Sequence, residues 1–351
     1  MDTRGRKTIL LTGASGVVGN ALLPELGDHE VICLVNRGTV DGDHTIVHAD
    51  VTQPRLGLAP NAYDELARRA DCIVHSAAVT DWAAPKDRIR ATNVEGTKNV
   101  LELVRAADAP LYFMSTAFIC AIAPKAPLKL PSTHIIVNYV TSKLDSERVV
   151  RGSGLPATIF RPTNLVGDSR TGKIAREQII QRVTGFVCRG RAPLYPTRRE
   201  TLVDIIPQDI LAKTVAAIIR DEDVGSEYWL TYGDRAFKVS RALELCVEFM
   251  DGIGRPISPP STIDPDEIEA RGDEIAALPP IARAFFARLL EFSDGMTACG
   301  VFPSDMDQLT KRYGLSQPSL EDAYMRGLDF WARSKGIRPT TTAGLVRRVD
   351  E

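Results

Sequence analysis

One short segment near the start of the 351-residue sequence, TGASGVVG at 12–19, restricts the possible folds most strongly. It joins a predicted strand, Thr8–Thr12, to a predicted helix, Val17–Leu26. In such a turn Gly13 permits tight bending, Gly16 lets the backbone approach a pyrophosphate, and Gly19 allows close helix–strand packing. The helix N-terminus would face the phosphate charge. The segment therefore predicts a dinucleotide-binding site, with the candidate residues Gly13, Ser15, Gly16, Val17, Val18 and Gly19.

The end of the second predicted strand, Val31–Val35, indicates which dinucleotide is bound. NAD sites usually place Asp or Glu there, on the ribose 2′-hydroxyl, whereas NADP sites place an arginine near the 2′-phosphate. Here the strand is followed by Asn36 and Arg37, with no acid. The sequence therefore predicts NADP (NADPH) as cofactor, bound at Asn36 and Arg37. The alternative is that Arg37 is only a solvated residue at a strand end.

Short apolar stretches alternate with helical patterns over the first two thirds of the chain. Further strands are expected at Ile46–His48, Cys72–His75, Leu111–Ser115 and Ala157–Arg161, and further helices at Asp64–Ala70, Ile89–Ala106 and Tyr139–Arg151. Repeated β-α-β units of this kind form a parallel sheet with helices on both faces. The predicted fold class is α/β, a doubly wound parallel sheet (Rossmann) with a smaller, mostly helical C-terminal substrate domain.

The regular alternation breaks after the sixth predicted strand. Helical patterns at Arg170–Arg191 and Asp264–Phe292 lie among prolines and glycines, whereas Leu202–Ile206 and Tyr228–Thr231 have the character of strands. We therefore expect residues 1–168 to form the NADP-binding domain, with 200–235 returning to it. Residues 169–199 and 236–351 are expected to form the substrate-binding domain.

A second group of residues is suited to acid–base chemistry. Tyr139 and Lys143 lie four residues apart, so they share one face of a helix. A nearby ammonium lowers the pKa of a phenol and can also hold the nicotinamide ribose, which makes Tyr139 a usable proton donor or acceptor. Ser115 and Thr116 end a predicted strand, where open sheets place their ligands. One of the two hydroxyls is expected to polarise a substrate carbonyl, and Thr116 is slightly favoured.

These motifs resemble those of the extended short-chain dehydrogenase/reductase family. Further support comes from VHSAAVTDW at 74–82, TNVEGTKNV at 92–100, MSTAF at 114–118 and YVTSK at 139–143. The chain looks most like the branch that contains fatty-acyl-CoA reductases, terminal thioester reductase domains of peptide and polyketide synthases, and carboxylic acid reductase R domains. That finer resemblance rests on DVTQPRLGL at 50–58, RPTNLVGD at 161–168 and VDIIPQD at 203–209.

The resemblance implies roles for individual residues. Thr116, Tyr139 and Lys143 would form the catalytic group, and Asn93 would support the active-site helix or a proton-relay water. The remaining cofactor-binding residues implied by the family pattern are Asp50 and Val51 at the adenine, Ala77 and Ala78 along the far side of the cofactor, and Arg161, Pro162, Thr163 and Asn164.

Composition argues against several other classes of protein. The 43 basic and 45 acidic side chains leave a formal net charge of −2, which gives no electrostatic footprint for nucleic acid or an anionic membrane. The six cysteines are scattered, as in a reducing compartment, and no cluster has the spacing of a metal site. No signal peptide or membrane-length apolar run is evident. We expect a cytoplasmic protein, monomer or homodimer, that binds no metal, nucleic acid or membrane.

The sequence favours an NADPH-dependent reductase of specialised metabolism that transfers hydride to a carbonyl or acyl thioester, giving an aldehyde or alcohol. Its substrate would be a small molecule or a carrier-bound acyl group, delivered by a carrier protein in trans or by coenzyme A. The alternatives are a nucleotide-sugar epimerase or dehydratase, a ketone or alcohol dehydrogenase, and a non-catalytic NADP-binding protein. His134 is a weaker candidate for substrate contact. His75, Phe285 and Phe286 are expected to be packing residues.

Overall fold

A parallel sheet of seven strands organises the protein, whose computed structural model describes residues 5–340. Together with three smaller sheets it accounts for these strands, in chain order: β1 Thr8–Thr12, β2 Glu30–Val35, β3 Thr45–His48, β4 Cys72–His75, β5 Leu111–Met114, β6 Ala157–Pro162, β7 Asn164–Val166, β8 Leu194–Pro196, β9 Leu202–Val203, β10 Ile205–Pro207, β11 Glu227–Leu230, β12 Phe237–Lys238 and β13 Ser261–Ile263. The large sheet has the order β11-β6-β5-β4-β1-β2-β3. Its ladders are all parallel, as repeated β-α-β connections require.

Helices cover both faces of this sheet. They are α1 Val17–Glu25, α2 Pro60–Arg69, α3 Lys86–Arg90, α4 Gly96–Ala107, α5 Ile135–Gly152, α6 Ile179–Val187, α7 Gln208–Arg220, α8 Val239–Gly252, α9 Gly272–Ala276, α10 Pro280–Cys299, α11 Met306–Tyr313 and α12 Leu320–Ser334. Helices α1 and α7 pack on one face, and α2, α4 and α5 pack on the other. All four residues of β4 are buried, because strands covered on both sides are apolar without alternation. The predicted fold class is confirmed.

The C-terminal segments form a mostly helical core together with the residues that follow β5. Helices α6, α8, α10 and α12 contribute to this core, and three short ladders, β7 with β10, β8 with β13 and β9 with β12, join the segments. Within the segment 200–235, β11 returns to the large sheet and pairs with β6. The division into two domains remains a prediction.

Two of the long helices expected in this region are wrong. Arg170–Arg191 contains only the nine-residue α6, because Gly172 and Gly190 have φ values of +68° and +65°, which no α-helix contains. Asp264–Phe292 is divided into a 3₁₀ turn, α9 and the start of α10. The break before α10 falls at Pro279 and Pro280, which cannot donate helical hydrogen bonds.

Candidate active site

The three glycines of the turn after β1 have different local surroundings. A Cβ atom at Gly13, whose φ is +74°, would lie 2.6 Å from the Ala77 nitrogen, and one at Gly19 would lie 2.3 Å from the Gly13 oxygen. A Cβ at Gly16 would meet only the Gly13 oxygen, at 3.1 Å. Gly16 also precedes α1 without any side chain capping the helix. The turn therefore fits a pyrophosphate, because its first amides are open and its backbone is accessible at Gly16. The neighbouring candidates Ser15, Val17, Val18 and Ala78 are partly buried around this turn.

The end of β2 presents a cation beside this turn. Asn36 and Arg37 are exposed, and the Ser15 hydroxyl donates to the Arg37 carbonyl at 3.2 Å. Within residues 5–340, no ion pair is recorded for Arg37. In contrast, Asp50 uses one carboxylate oxygen to accept hydrogen bonds from the Thr52 amide and hydroxyl, at 2.9 and 2.8 Å. Beside it, Val51 is buried.

Tyr139 and Lys143 lie on the inner face of α5 and are almost fully buried, at 7% and 3% exposure. Burial raises the pKa of Tyr139 to about 12, and a hydrogen bond with Thr116 opposes that rise. Burial lowers the pKa of Lys143 to about 8, against the attraction of the Glu147 carboxylate. The Lys143 ammonium donates to the Met114 carbonyl at 2.6 Å and lies 4.6 Å from the centre of a phenylalanine ring.

The expected lowering of the Tyr139 pKa by Lys143 is therefore wrong for this structure. The ammonium is directed to the end of β5, and desolvation dominates the environment of the phenol. A phenol with a raised pKa stays protonated at neutral pH. Tyr139 is thus suited to donate a proton, and Thr116 is the hydroxyl that contacts it.

Ser115 points away from this pair, in contrast to its candidate catalytic role. Its hydroxyl donates to Glu147 at 2.5 Å, because successive residues of an extended chain face opposite sides. Arg161 makes two hydrogen bonds to the same carboxylate, each of 2.9 Å, and one to Glu227 of β11. The predicted cofactor contact of Arg161 stays a prediction, and it would come from the backbone of this residue. Its guanidinium is occupied by an ion-pair network at the sheet edge.

Glu147 was missed by the sequence analysis. It follows Tyr139 and Lys143 at the same four-residue interval on α5, is fully buried, and joins β5, α5 and β6 through Ser115 and Arg161. The continuing interval along one helix face was the available signal. The charge of Glu147 is satisfied by Arg161 and, at 2.8 Å, by Arg151.

Asn93 holds the loop after β4 against the active-site helix. It lies in a π-helical turn, Ala91–Glu95, between α3 and α4. Its side chain accepts from the Val79 amide at 2.8 Å and donates to the Ser142 hydroxyl at 2.9 Å. Since Ser142 belongs to α5, this geometry supports a positioning role for Asn93.

The polar side chains of the segment after β6 are directed toward a later part of the chain. Both the Thr163 hydroxyl and the Asn164 amide donate to the Asp204 carbonyl, at 3.0 and 2.9 Å. The Asp204 carboxylate in turn accepts from the Tyr232 and Gly233 amides. Any cofactor contact of Thr163 and Asn164 would therefore come from their backbone, as it would for Pro162, the last residue of β6.

Three aromatic rings pack together where the loop after β4 and the turn after Thr116 meet α10. The Trp82 ring lies 5.6 Å from that of Phe118 and stacks on that of Phe292 at 6.0 Å. These two phenylalanines belong to the same apolar core as Tyr139. Phe286 of α10 is buried in a separate small cluster. Phe285 is partly buried against the same core as Tyr139 and stacks on Phe186, so both phenylalanines are packing residues, as expected.

The two histidines named from sequence have different environments. His75 is buried in β4, with Nδ1 at 2.7 Å from the Thr12 hydroxyl and Nε2 at 3.2 Å from the Thr97 hydroxyl. Burial lowers its pKa to about 3, which fits a neutral packing residue. His134 lies directly before α5 and is also buried.

The described chain contains no group of three or more His, Cys, Asp or Glu residues that could hold a metal ion. Among residues 5–340, no helix has the length and apolar character needed to cross a membrane.

Comparison with known proteins gives consistent matches. A family model described as male sterility protein, an NAD-binding domain, matches residues 39–215. A linear gramicidin synthase component of Brevibacillus parabrevis is 25% identical over 380 aligned residues, which cover 94% of this chain and 7% of that protein. Isonitrile lipopeptide synthase of Streptomyces coeruleorubidus is 30% identical over 238 residues, which cover 58% of this chain and 16% of that protein. The chain therefore spans a small part of these relatives.

Among solved structures, the terminal R domain from the myxalamid PKS-NRPS biosynthetic pathway matches with a TM-score of 0.75 and 25% sequence identity. The match covers 96% of this chain and 93% of that chain. It therefore includes both the large sheet and the C-terminal helices.

Proposed function

The chain belongs to the male sterility protein family of NAD-binding domains, and on that premise we propose that it is an NADPH-dependent reductase of acyl thioesters. The resemblance to thioester reductase domains of the extended short-chain dehydrogenase/reductase family is confirmed by the matches. The observation that carries the proposal is a buried Tyr139 in contact with Thr116, which follows β5 at the same carboxyl edge of the sheet as the glycine turn after β1.

The residues present fit a nicotinamide dinucleotide. The turn at Gly13–Gly19 would hold the pyrophosphate, and Lys143, whose ammonium lies at the end of β5, would bind the ribose. When bound, the reduced cofactor supplies a hydride. Tyr139 would donate its proton to the oxygen of the substrate carbonyl, and Thr116 would stabilise the negative charge that develops there. Asn93 would keep α5 in place.

NADP is the cofactor we propose. The exposed Arg37 lies directly after β2, and the only carboxylate among the neighbouring candidates, Asp50, is engaged by Thr52. A guanidinium without a carboxylate partner favours a 2′-phosphate over a 2′-hydroxyl.

The substrate we propose is an acyl group carried as a thioester by coenzyme A or by a carrier protein. The named relatives are synthases of which this chain matches only a small part, so an acyl group would reach this chain from another protein or domain. The rings of Trp82, Phe118 and Phe292 would contact the apolar part of that acyl group.

Turnover of a defined thioester tests this function. The purified chain should oxidise NADPH in proportion to nonanoyl-CoA consumed, with a lower KM for NADPH than for NADH. Tyr139→Phe should lower kcat by about 10²–10⁴-fold, because the proton donor is lost. Tyr232→Phe is the matched control, since its hydroxyl is buried and has no hydrogen-bond partner among the described residues. Tightly retained NAD without net turnover would contradict the proposal.

A further inference from the structure

His134 places a buried and unsatisfied polar atom beside the active-site helix. It is the residue before α5, and its Nδ1 accepts a hydrogen bond from the Ile136 amide at 3.4 Å. Only 8% of His134 is exposed, and its Nε2 is buried with no hydrogen-bond partner in the described part of the chain. Because Nδ1 accepts, the proton of a neutral ring lies on Nε2. The helix cap therefore leaves an N–H donor free.

A glycine of α10 lies beside the imidazole ring of His134. A Cβ atom at Gly295 of α10 would lie 3.9 Å from His134 Cε1 and 3.5 Å from Ile136 Cδ1. Because position 295 is a glycine, it places no side chain of its own against this edge of the ring. Met296, the next residue, belongs to the same apolar core as Ile136 and Tyr139. His134 thus adds a polar donor to an otherwise apolar wall.

The position of His134 relative to the reacting centre suits substrate contact. Tyr139 follows five residues later on the same helix, which corresponds to about 7.5 Å along the helix axis. Helix α10 packs on the 3₁₀ turn Ala117–Ile122 that follows Thr116. The same helix lies beside His134, through Gly295. A substrate with its carbonyl at Tyr139 can reach His134 with a group a few bonds away.

We propose that the Nε2–H of His134 binds a neutral amide carbonyl of the thioester substrate. This inference rests on the proposed function, because it concerns the rest of the molecule whose thioester meets Tyr139. A buried donor without a partner carries an uncompensated desolvation cost, which an amide oxygen would remove. A carboxylate fits less well, because the apolar wall gives no compensation for burying its charge. The amide lies either in the acyl group or in the pantetheine arm.

Two substitutions at His134 distinguish the roles of its two ring nitrogens. His134→Asn places an amide oxygen where it can accept as Nδ1 does, which preserves the helix cap and removes the Nε2 donor. His134→Gln places an amide nitrogen near the position of Nε2 and removes the cap. The melting temperatures of both variants show whether the helix cap is kept, and their kcat/KM values show whether the hydrogen-bond donor is kept. We expect His134→Gln to melt at a lower temperature than His134→Asn and yet to retain more of the wild-type preference for amide-containing thioesters.

Three thioesters identify the amide. N-Hexanoylglycyl-CoA has an amide in its acyl chain, nonanoyl-CoA has amides only in its pantetheine arm, and S-ethyl nonanethioate has none. If the acyl amide is bound, His134→Asn should lower kcat/KM about tenfold for N-hexanoylglycyl-CoA and leave kcat/KM for the other two thioesters unchanged. It should lower kcat/KM for both CoA thioesters, and not for the ethyl thioester, if the pantetheine amide is bound.

Two results would overturn the inference. Values of kcat/KM within twofold of wild type on all three thioesters would mean that a trapped water satisfies Nε2. An equal loss on all three would mean that His134 has only a structural role. If the wild-type chain reduces no thioester, the proposed function fails separately. Calorimetric binding of N-hexanoylglycinamide, which requires no turnover, then tests the contact, and equal affinity of wild type and His134→Asn would refute it.

Discussion

Ser115 and Thr116 show how two adjacent hydroxyls can serve separate purposes. Ser115→Ala should lower the free energy of unfolding by about 1–3 kcal/mol, because buried Glu147 loses a donor. Its kcat should stay within about twofold of wild type. Thr116→Val should lower kcat by about 10²-fold, because a group that contacts Tyr139 is lost. Chemical denaturation and NADPH oxidation measure the two effects.

The conservative variant Thr116→Ser is the control for this pair. It retains a hydroxyl that can contact Tyr139 and also cap the following 3₁₀ turn, as Thr116 does. Its kcat should therefore remain close to that of wild type. A loss of kcat in Ser115→Ala that equals the loss in Thr116→Val would contradict the assignment.

At this scale the sequence reveals which residue types meet but not how they are oriented. The four-residue spacing of Tyr139 and Lys143 predicted a shared helix face, and the structure has both on the inner face of α5. It did not reveal that the ammonium is bound by the Met114 carbonyl. That contact depends on the packing of α5 against β5, which no local pattern encodes.

At the scale of elements, the turn between β1 and α1 permits a sharp separation of binding from stability. Gly16→Ala adds a Cβ that meets only the Gly13 oxygen, at 3.1 Å, whereas Gly19→Ala adds one at 2.3 Å from that oxygen and 2.6 Å from the Ala14 Cα. Backbone atoms cannot move aside as a flexible side chain can. Gly19→Ala should therefore lower the free energy of unfolding by about 1–3 kcal/mol.

Gly16→Ala should lower the melting temperature of the free protein less than Gly19→Ala does, since its Cβ meets the Gly13 oxygen at 3.1 Å and not at 2.3 Å. It should weaken NADPH binding by about tenfold or more, since its methyl group would occupy the proposed approach to the pyrophosphate. Calorimetric titration and thermal melting of both variants give the comparison. Equal losses of stability in the two variants would disprove the separate roles of the glycines.

Elements with strong local signals were predicted well. The six strands expected before residue 162 are all present, with ends displaced by at most one residue, because buried parallel strands form short apolar runs bounded by turn residues. The helix expected at Ile89–Ala106 exists but contains the π-helical turn around Asn93. The periodicity of apolar residues does not distinguish such a turn from a regular helix. Gly172 abuts the Arg326 carbonyl of α12, a distant contact that the helical pattern at Arg170–Arg191 could not indicate.

At the scale of the whole molecule, a net charge of −2 conceals an uneven distribution. Residues 170–199 contain eight basic side chains and one acidic side chain, and among the exposed ones are Arg170, Lys173 and Arg182. If the substrate is carried by coenzyme A, the exposed basic side chains of this segment would attract its phosphates. Raising the salt concentration from about 0.05 to about 0.5 M should therefore raise KM for nonanoyl-CoA several-fold and leave KM for S-ethyl nonanethioate unchanged.

Charge-reversal substitutions test which basic side chains cause the salt dependence of KM for nonanoyl-CoA. Lys173→Glu should raise KM for nonanoyl-CoA at low salt, and Arg68→Glu, at an exposed position on α2, should not. An equal salt dependence of KM for the charged and the uncharged thioester would exclude attraction of the coenzyme A phosphates by the basic side chains of residues 170–199.

The network of Glu147, Arg161 and Glu227 also has a consequence for biosynthesis. Glu227 follows Arg161 by 66 residues, so at about 5–20 residues per second the ribosome needs roughly 3–13 seconds to supply it. During that interval β6 is the open edge of a six-stranded sheet, with unpaired backbone groups that other chains can bind. Until β11 arrives, β6 of the nascent chain is therefore open to pairing with other chains. The pairing of β11 covers β6 and completes the ion pairs of Arg161.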